Sequence, residues 1–160
     1  MLIASNSKAN ALNWAKEENL QTEIVTNSLY PDTDKAIATL LKDIDLVICS
    51  GYMKLIGDQT IAAVRGKILN VHPALLPKHG GKGMYGRFVH QAVLDQKDKE
   101  TGITIHLVDG EYDHGRIIAQ KKVPVKSTDT VEDIEYNVKA AEPDFYIETL
   151  QKILSGDITL

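Results

Sequence analysis

The stretch Ile68-Leu69-Asn70-Val71-His72, stopped by Pro73-Ala74-Leu75-Leu76-Pro77, constrains the fold more than any other. Its apolar run is broken only by one amide and one imidazole, and the proline after it cannot extend a ladder. This predicts a buried strand with polar groups at its carboxyl end. Side chains alternate along a strand, so Asn70 and His72 share a face. Further on, Asp109-Gly110-Glu111-Tyr112-Asp113-His114-Gly115 sets carboxylates in a glycine-punctuated loop between two β-like runs. An amide, an imidazole and a carboxylate brought together can polarise a carbonyl and move protons, which makes this trio the candidate site.

Around that strand the pattern alternates between strand and helix. Leu2-Ile3-Ala4 predicts a short strand, Ser5-Asn6-Ser7 a turn that caps a helix over 9–19, and Glu23-Ile24-Val25-Thr26 a second strand. Pro31 and Asp32 open a helix with Ile37, Leu40, Leu41 and Ile44 at helical intervals, before a buried strand over 45–49. The loop Ser50 to Gly57 then leaves a strand's carboxyl end, where ligands bind in open parallel sheets. A short helix near 58–64 precedes the central strand.

Residues 78–87 hold four glycines in ten positions and predict a shaped loop. Phe88 to Leu94 read as helix, and Thr101–Val108 with Arg116–Val125 read as a hairpin across the Asp109 to Gly115 loop. Asp129 is expected to cap a final helix that runs to about Ile153 and breaks near Pro143.

At 160 residues the chain has the length of a single domain, 1–160, with a sizeable core. A net charge of -4 argues against general affinity for nucleic acid and favours a small-molecule substrate. Cys49 is the single cysteine and cannot form an internal disulfide, so a reducing compartment is expected. No secretory leader or membrane-length apolar run is visible, and the expected location is the cytoplasm.

Taken singly, the residues have plainer readings. His72 alone is a hydrogen-bonded structural histidine, Asn70 a strand-end cap and Asp113 a turn former beside glycine. His106, among β-branched neighbours, reads as a histidine either of the core or lying just behind the site residues. His79, His90 and His114 read as solvent-facing, and Lys97-Asp98-Lys99-Glu100 as a solvated turn.

The run Asn70 to Pro77, with Ser50-Gly51-Tyr52-Met53 before it and the Gly80 to Gly86 loop and Asp113 region after it, resembles the phosphoribosylglycinamide formyltransferases. These are the glycinamide branch of the folate-dependent formyltransferases, and the resemblance covers essentially the whole chain. It implies a Rossmann-like formyltransferase fold, with a mixed, mostly parallel sheet flanked by helices. It also implies formyl transfer from 10-formyltetrahydrofolate, a co-substrate, to the amine of glycinamide ribonucleotide in de novo purine synthesis. On this resemblance Asn70 stabilises the oxyanion and His72 protonates the departing folate nitrogen. Asp113 tunes His72 and helps move the amine's proton. Met53, Lys54, Leu55 and Ile56, with Asn70, fall on folate-binding positions, and Gly51, Pro73 and Glu142 on ribonucleotide positions. The chemistry requires no metal.

Beside a usual member, the chain lacks the opening strand, the Gly-x-Gly-Ser-Asn loop that cradles the substrate phosphate, and the helix after it. That amounts to roughly 25 to 30 residues. The expected consequences are a phosphate without its amide cradle and a sheet with uncovered surface, which leaves room for a homo-oligomer. Lys139 and Pro143 also stand where the family usually has a glutamine and a histidine. Three readings stay open: the formyltransferase itself, a non-catalytic folate-binding remnant of it, and a related formyltransferase or formyltetrahydrofolate hydrolase.

Overall fold

The computed structural model describes residues 1–160. Its elements run β1 (Leu2–Ala4), α1 (Ala11–Glu17), β2 (Thr22–Ile24), α2 (Thr33–Leu40), β3 (Val47–Cys49) and α3 (Asp58–Ala63). They continue with β4 (Ile68–His72), α4 (Arg87–Asp95), β5 (Glu100–Leu107), β6 (Ile117–Pro124) and α5 (Val131–Leu154). The architecture is α/β, as the alternating pattern predicts. Strands β3, β4, β5 and β6 form one sheet in that order, in which β5 alone runs against the rest. Strands β1 and β2 pair in parallel in a sheet of their own, and no ladder joins the two sheets. No helix is long and apolar enough to cross a membrane.

Strand β4 is buried on both faces, which explains its near-continuous apolar run. Leu69 packs with Val93 of α4, Ile103 and Ile105 of β5, and Ile134, Val138 and Phe145 of α5. Its neighbour Ile68 points the other way, into a cluster with Val25, Ile37, Leu41 and Val64. Each such aliphatic side chain, fully buried, contributes about 1.5–3 kcal/mol. Asn70 and His72 follow Ile68 on its face and so emerge at the carboxyl end of the sheet, as expected.

The helix ends have identifiable partners. The Asp32 carboxylate accepts from the Lys35 N–H at the start of α2. Asp34 reaches across to accept from the Gln59 and Thr60 N–H groups, both at 3.0 Å, and caps α3 from outside that helix. The turn at Ser5-Asn6-Ser7 forms, with Asn6 Oδ1 accepting from the Lys8 N–H, but α1 starts later and carries no side-chain cap.

Two expectations for the last helix are corrected. Its cap is Thr130, in a reciprocal capping box with Asp133, whereas Asp129 accepts from the Lys126 N–H in the preceding turn. The helix also runs unbroken through Pro143. Proline removes one backbone bond there, but its ring is exposed, while Val138 and Phe145 on either side are anchored in the core. Packing on both flanks outweighs the local cost.

The β5–β6 hairpin closes tightly at Gly115, where an added Cβ would lie 1.9 Å from the Leu107 carbonyl oxygen. Backbone cannot swing aside, so Gly115→Ala should destabilise the protein by about 1–3 kcal/mol and displace the loop two residues before it. Urea unfolding curves superimposable on wild type would contradict this. Cys49 is 7% exposed, and burial pushes its thiol up to about 11. It should resist a thiol reagent at mildly alkaline pH in the native protein and react promptly once unfolded; fast native labelling would refute that burial.

Candidate active site

Strands β4 and β5 carry Asn70, His72 and His106 to one end of the four-stranded sheet, and two loops close on them. The first follows β4 and is pinned by a buried threonine. Thr104 Oγ1 donates to the Ala74 carbonyl at 2.6 Å and accepts from the Leu76 N–H at 3.0 Å. Gln120 Nε2 adds a bond to the Leu76 carbonyl at 2.9 Å. The second is the β5–β6 loop, where Asp113 adopts φ +55, a left-handed conformation that aspartate tolerates better than most residues.

His72 is 3% exposed and its ring is held from both sides. Its Nε2 donates to the His79 carbonyl at 2.8 Å, and its Nδ1 faces Asp113 Oδ2 at 3.3 Å. The same carboxylate oxygen accepts from the Gly81 N–H at 3.0 Å. On the strand ladder Asn70 lies opposite His106, and their side chains meet, Nδ2 to Nε2, at 3.2 Å. His106 Nδ1 donates to the Leu107 carbonyl at 2.9 Å. Its Nε2 also lies 3.6 Å from Asp113 Oδ1. A neutral His106 accepts from the Asn70 amide, and a charged one donates toward the carboxylate.

Burial by itself would raise the Asp113 carboxyl. The imidazoles of His106 and His72, with the Gly81 N–H, more than offset it and hold the group well below the usual carboxylate range. The site thus keeps a largely buried anion next to a buried imidazole, with the Asn70 amide on the same strand face. That combination stabilises an oxyanion and shuttles a proton.

The structure brings the expected trio together and adds His106, which contacts both Asn70 and Asp113. The signal for His106 lay in the hairpin register, since Ile103, Ile105 and Leu107 alternate and leave Thr104 and His106 on the other face. Two histidines expected at the surface are buried: the His79 ring is 4% exposed and His90 2%. His79 bonds Asp98, so the Lys97 to Glu100 segment is not a plain solvated turn. His90 packs on the inner side of α4 as α4 meets α5. His114 is exposed as expected, paired with Asp109 at 2.7 Å.

None of the remaining candidates hydrogen-bonds to the trio. Met53 and Leu55 are 55% and 50% exposed, Lys54 is exposed, and Ile56 packs on the second core cluster. Gly51 is exposed at φ +62, and Pro73 directly follows His72. Glu142 sits half-buried on α5, where burial raises its carboxyl against the pull of Lys139. Its neighbour Tyr146 is raised by burial first and then by Cys49 and Glu142, and its buried hydroxyl has no hydrogen-bond partner.

Comparison with known proteins supplies the kinship. A family model described as formyl transferase matches residues 2–150. The chain is 36% identical to the chloroplastic phosphoribosylglycinamide formyltransferase of Vigna unguiculata, over 96% of this chain and 51% of that protein. It is 30% identical to the phosphoribosylglycinamide formyltransferase of Haemophilus influenzae, over 99% and 75%. A crystal structure of glycinamide ribonucleotide transformylase 1 from Symbiobacterium toebii superimposes with a TM-score of 0.88 at 31% identity, covering 99% of this chain and 76% of that one. The chain spans about half the length of the two plant relatives. With nearly all of its residues matched and the fold shared, the chain belongs to the formyl transferase family.

Proposed function

We propose that the chain transfers a formyl group from 10-formyltetrahydrofolate to the amine of glycinamide ribonucleotide. The observation that carries this reading is the buried His72 ring, set between the His79 carbonyl and the Asp113 carboxylate, with the Asn70 amide on the same strand face. The names of the relatives supply the acceptor class.

The acceptor amine attacks the formyl carbon, and the carbonyl electron pair moves onto oxygen. Asn70 has two amide hydrogens and spends at most one on His106, so the other can donate to that oxyanion. A donor of this kind is worth about 10²–10³ in kcat. The attacking nitrogen, now positive, releases a proton to Asp113, directly or through water, and Asp113 passes it across 3.3 Å to the bare Nδ1 of His72. The bond between the formyl carbon and the folate nitrogen then breaks, its electron pair stays on that nitrogen, and His72 delivers the proton. Met53, Lys54, Leu55 and Ile56 are assigned to the donor, to which Met53 and Leu55 offer exposed apolar side chains. Gly51, Pro73 and Glu142 are assigned to the acceptor.

Calorimetric titration with a folate analogue and with glycinamide ribonucleotide should show binding of both. Binding of the folate analogue alone would favour a folate-binding protein, and formate release without an amine would favour a hydrolase. His72→Ala should lower turnover about 10²–10⁴-fold while the far-ultraviolet spectrum stays native. Undiminished turnover would remove His72 from the role of acid.

Asp113 allows a separate check by pH. Its folded value lies below the ordinary 3.8, so its charge contributes stability above that pH, and the contribution is lost as pH falls through the lowered value. The stability gap between wild type and Asp113→Asn, about 1–3 kcal/mol near neutral pH, should therefore persist down to 3.8 and close only below it. A gap that closes well above 3.8 in urea titrations would show that the carboxylate is not held in its charged form.

A further inference from the structure

The loop after β4 grips two site residues at once. The His79 carbonyl accepts from His72 Nε2 at 2.8 Å, and two residues on the Gly81 N–H donates to Asp113 Oδ2 at 3.0 Å. A carbonyl only accepts, so the hydrogen of a neutral His72 ring lies on Nε2, and the nitrogen turned to Asp113 is Nδ1. Residues 79–81 therefore set the tautomer of the imidazole and the place of the carboxylate together.

That segment is not relaxed when left alone. His79 stands at φ +58, a left-handed region that most residues with a Cβ avoid. Its imidazole is also buried, where a polar ring needs a partner. The partner is Asp98, whose Oδ2 lies 2.7 Å from His79 Nε2. Asp98 belongs to the turn between α4 and β5, where its own N–H donates to the Val93 carbonyl at 3.1 Å. Its other oxygen accepts from Lys78 Nζ at 2.5 Å. Hydrogen bonds from His79 and then Lys78 keep the Asp98 carboxyl below its ordinary range. The strained backbone is thus tied, through one side-chain bond, to a helix end that takes no part in the site.

We propose that His79 and Asp98 form a positioning pair, in which Asp98 anchors the His79 ring and so fixes the backbone of residues 79–81 against His72 and Asp113. Neither residue touches the reacting atoms. The kinetic effect of the pair rests on the formyl-transfer reading, whereas its effect on His72 does not.

Long-range nitrogen–proton correlation spectra of the full chain report the His72 tautomer. Wild type should show the Nε2–H form, and Asp98→Ala should show a mixture. Asp98→Asn keeps an acceptor for His79 and should restore the single form, while Lys78→Ala, at the exposed partner, should leave the spectrum as in wild type. His79→Asn tolerates the left-handed backbone but removes the ring, and should behave as Asp98→Ala does. In a formyl-transfer assay, Asp98→Ala should lower kcat about ten- to a hundred-fold with little change in KM. A His72 spectrum identical in wild type, Asp98→Ala and His79→Asn overturns the proposal. A tautomer mixture in Asp98→Ala, alongside a wild type that transfers no formyl group, upholds the pair and removes the reaction instead.

Discussion

Because Asn70 lies opposite His106 and His72 opposite Thr104, the antiparallel ladder between β4 and β5 places the amide and both imidazoles of the site. A slip of one residue would turn Asn70 and His72 into the core that holds Leu69 and would send Leu69 into the cleft. The two-sided burial of β4 forbids that slip, since Ile68 and Leu69 are already committed to opposite clusters. Packing thus specifies chemistry here: aliphatic side chains that touch nothing reactive decide which way the amide and the imidazole point.

Within that frame the buried anion is the demanding element. A carboxylate out of water is costly unless its oxygens find partners. Asp113 finds them on three sides, with His72, His106 and the Gly81 N–H each facing it. These partners come from β4, β5 and the loop after β4, so the charge also ties together segments distant in the chain. Tyr112 beside it is 41% exposed, which shows how abruptly the loop passes from solvent to pocket.

The central strand, the hairpin and the pair Asn70 and His72 were legible because each rests on local rules, alternation and a proline stop, whereas the family resemblance singled out Asp113 among the loop's three carboxylates. What escaped depended on distance in the chain. His79 and Asp98 look like solvent-facing loop residues because each is flanked by lysine and glycine or by charges. Only the fold reveals that they meet. His106 needed the hairpin register, and His90 needed the helix pairing of α4 with α5. The unbroken α5 is a similar case, since Pro143 is a correct local signal that packing at Val138 and Phe145 overrides. The strands themselves divide between two sheets that share no ladder.

That division has a mechanical corollary. Backbone bonds tie β1, α1 and β2 to one another, as with Val25 N–H to the Ala4 carbonyl at 2.9 Å, but none crosses from residues 1–30 to the remainder. Side chains such as Val25, seated against Ile37 and Leu41, supply the attachment. Greasy contact without shared hydrogen bonds resists shear and peeling poorly. Amides of this opening segment can exchange with solvent through a partial detachment that leaves the β3–β6 sheet, and the acid–base pocket at its end, still assembled.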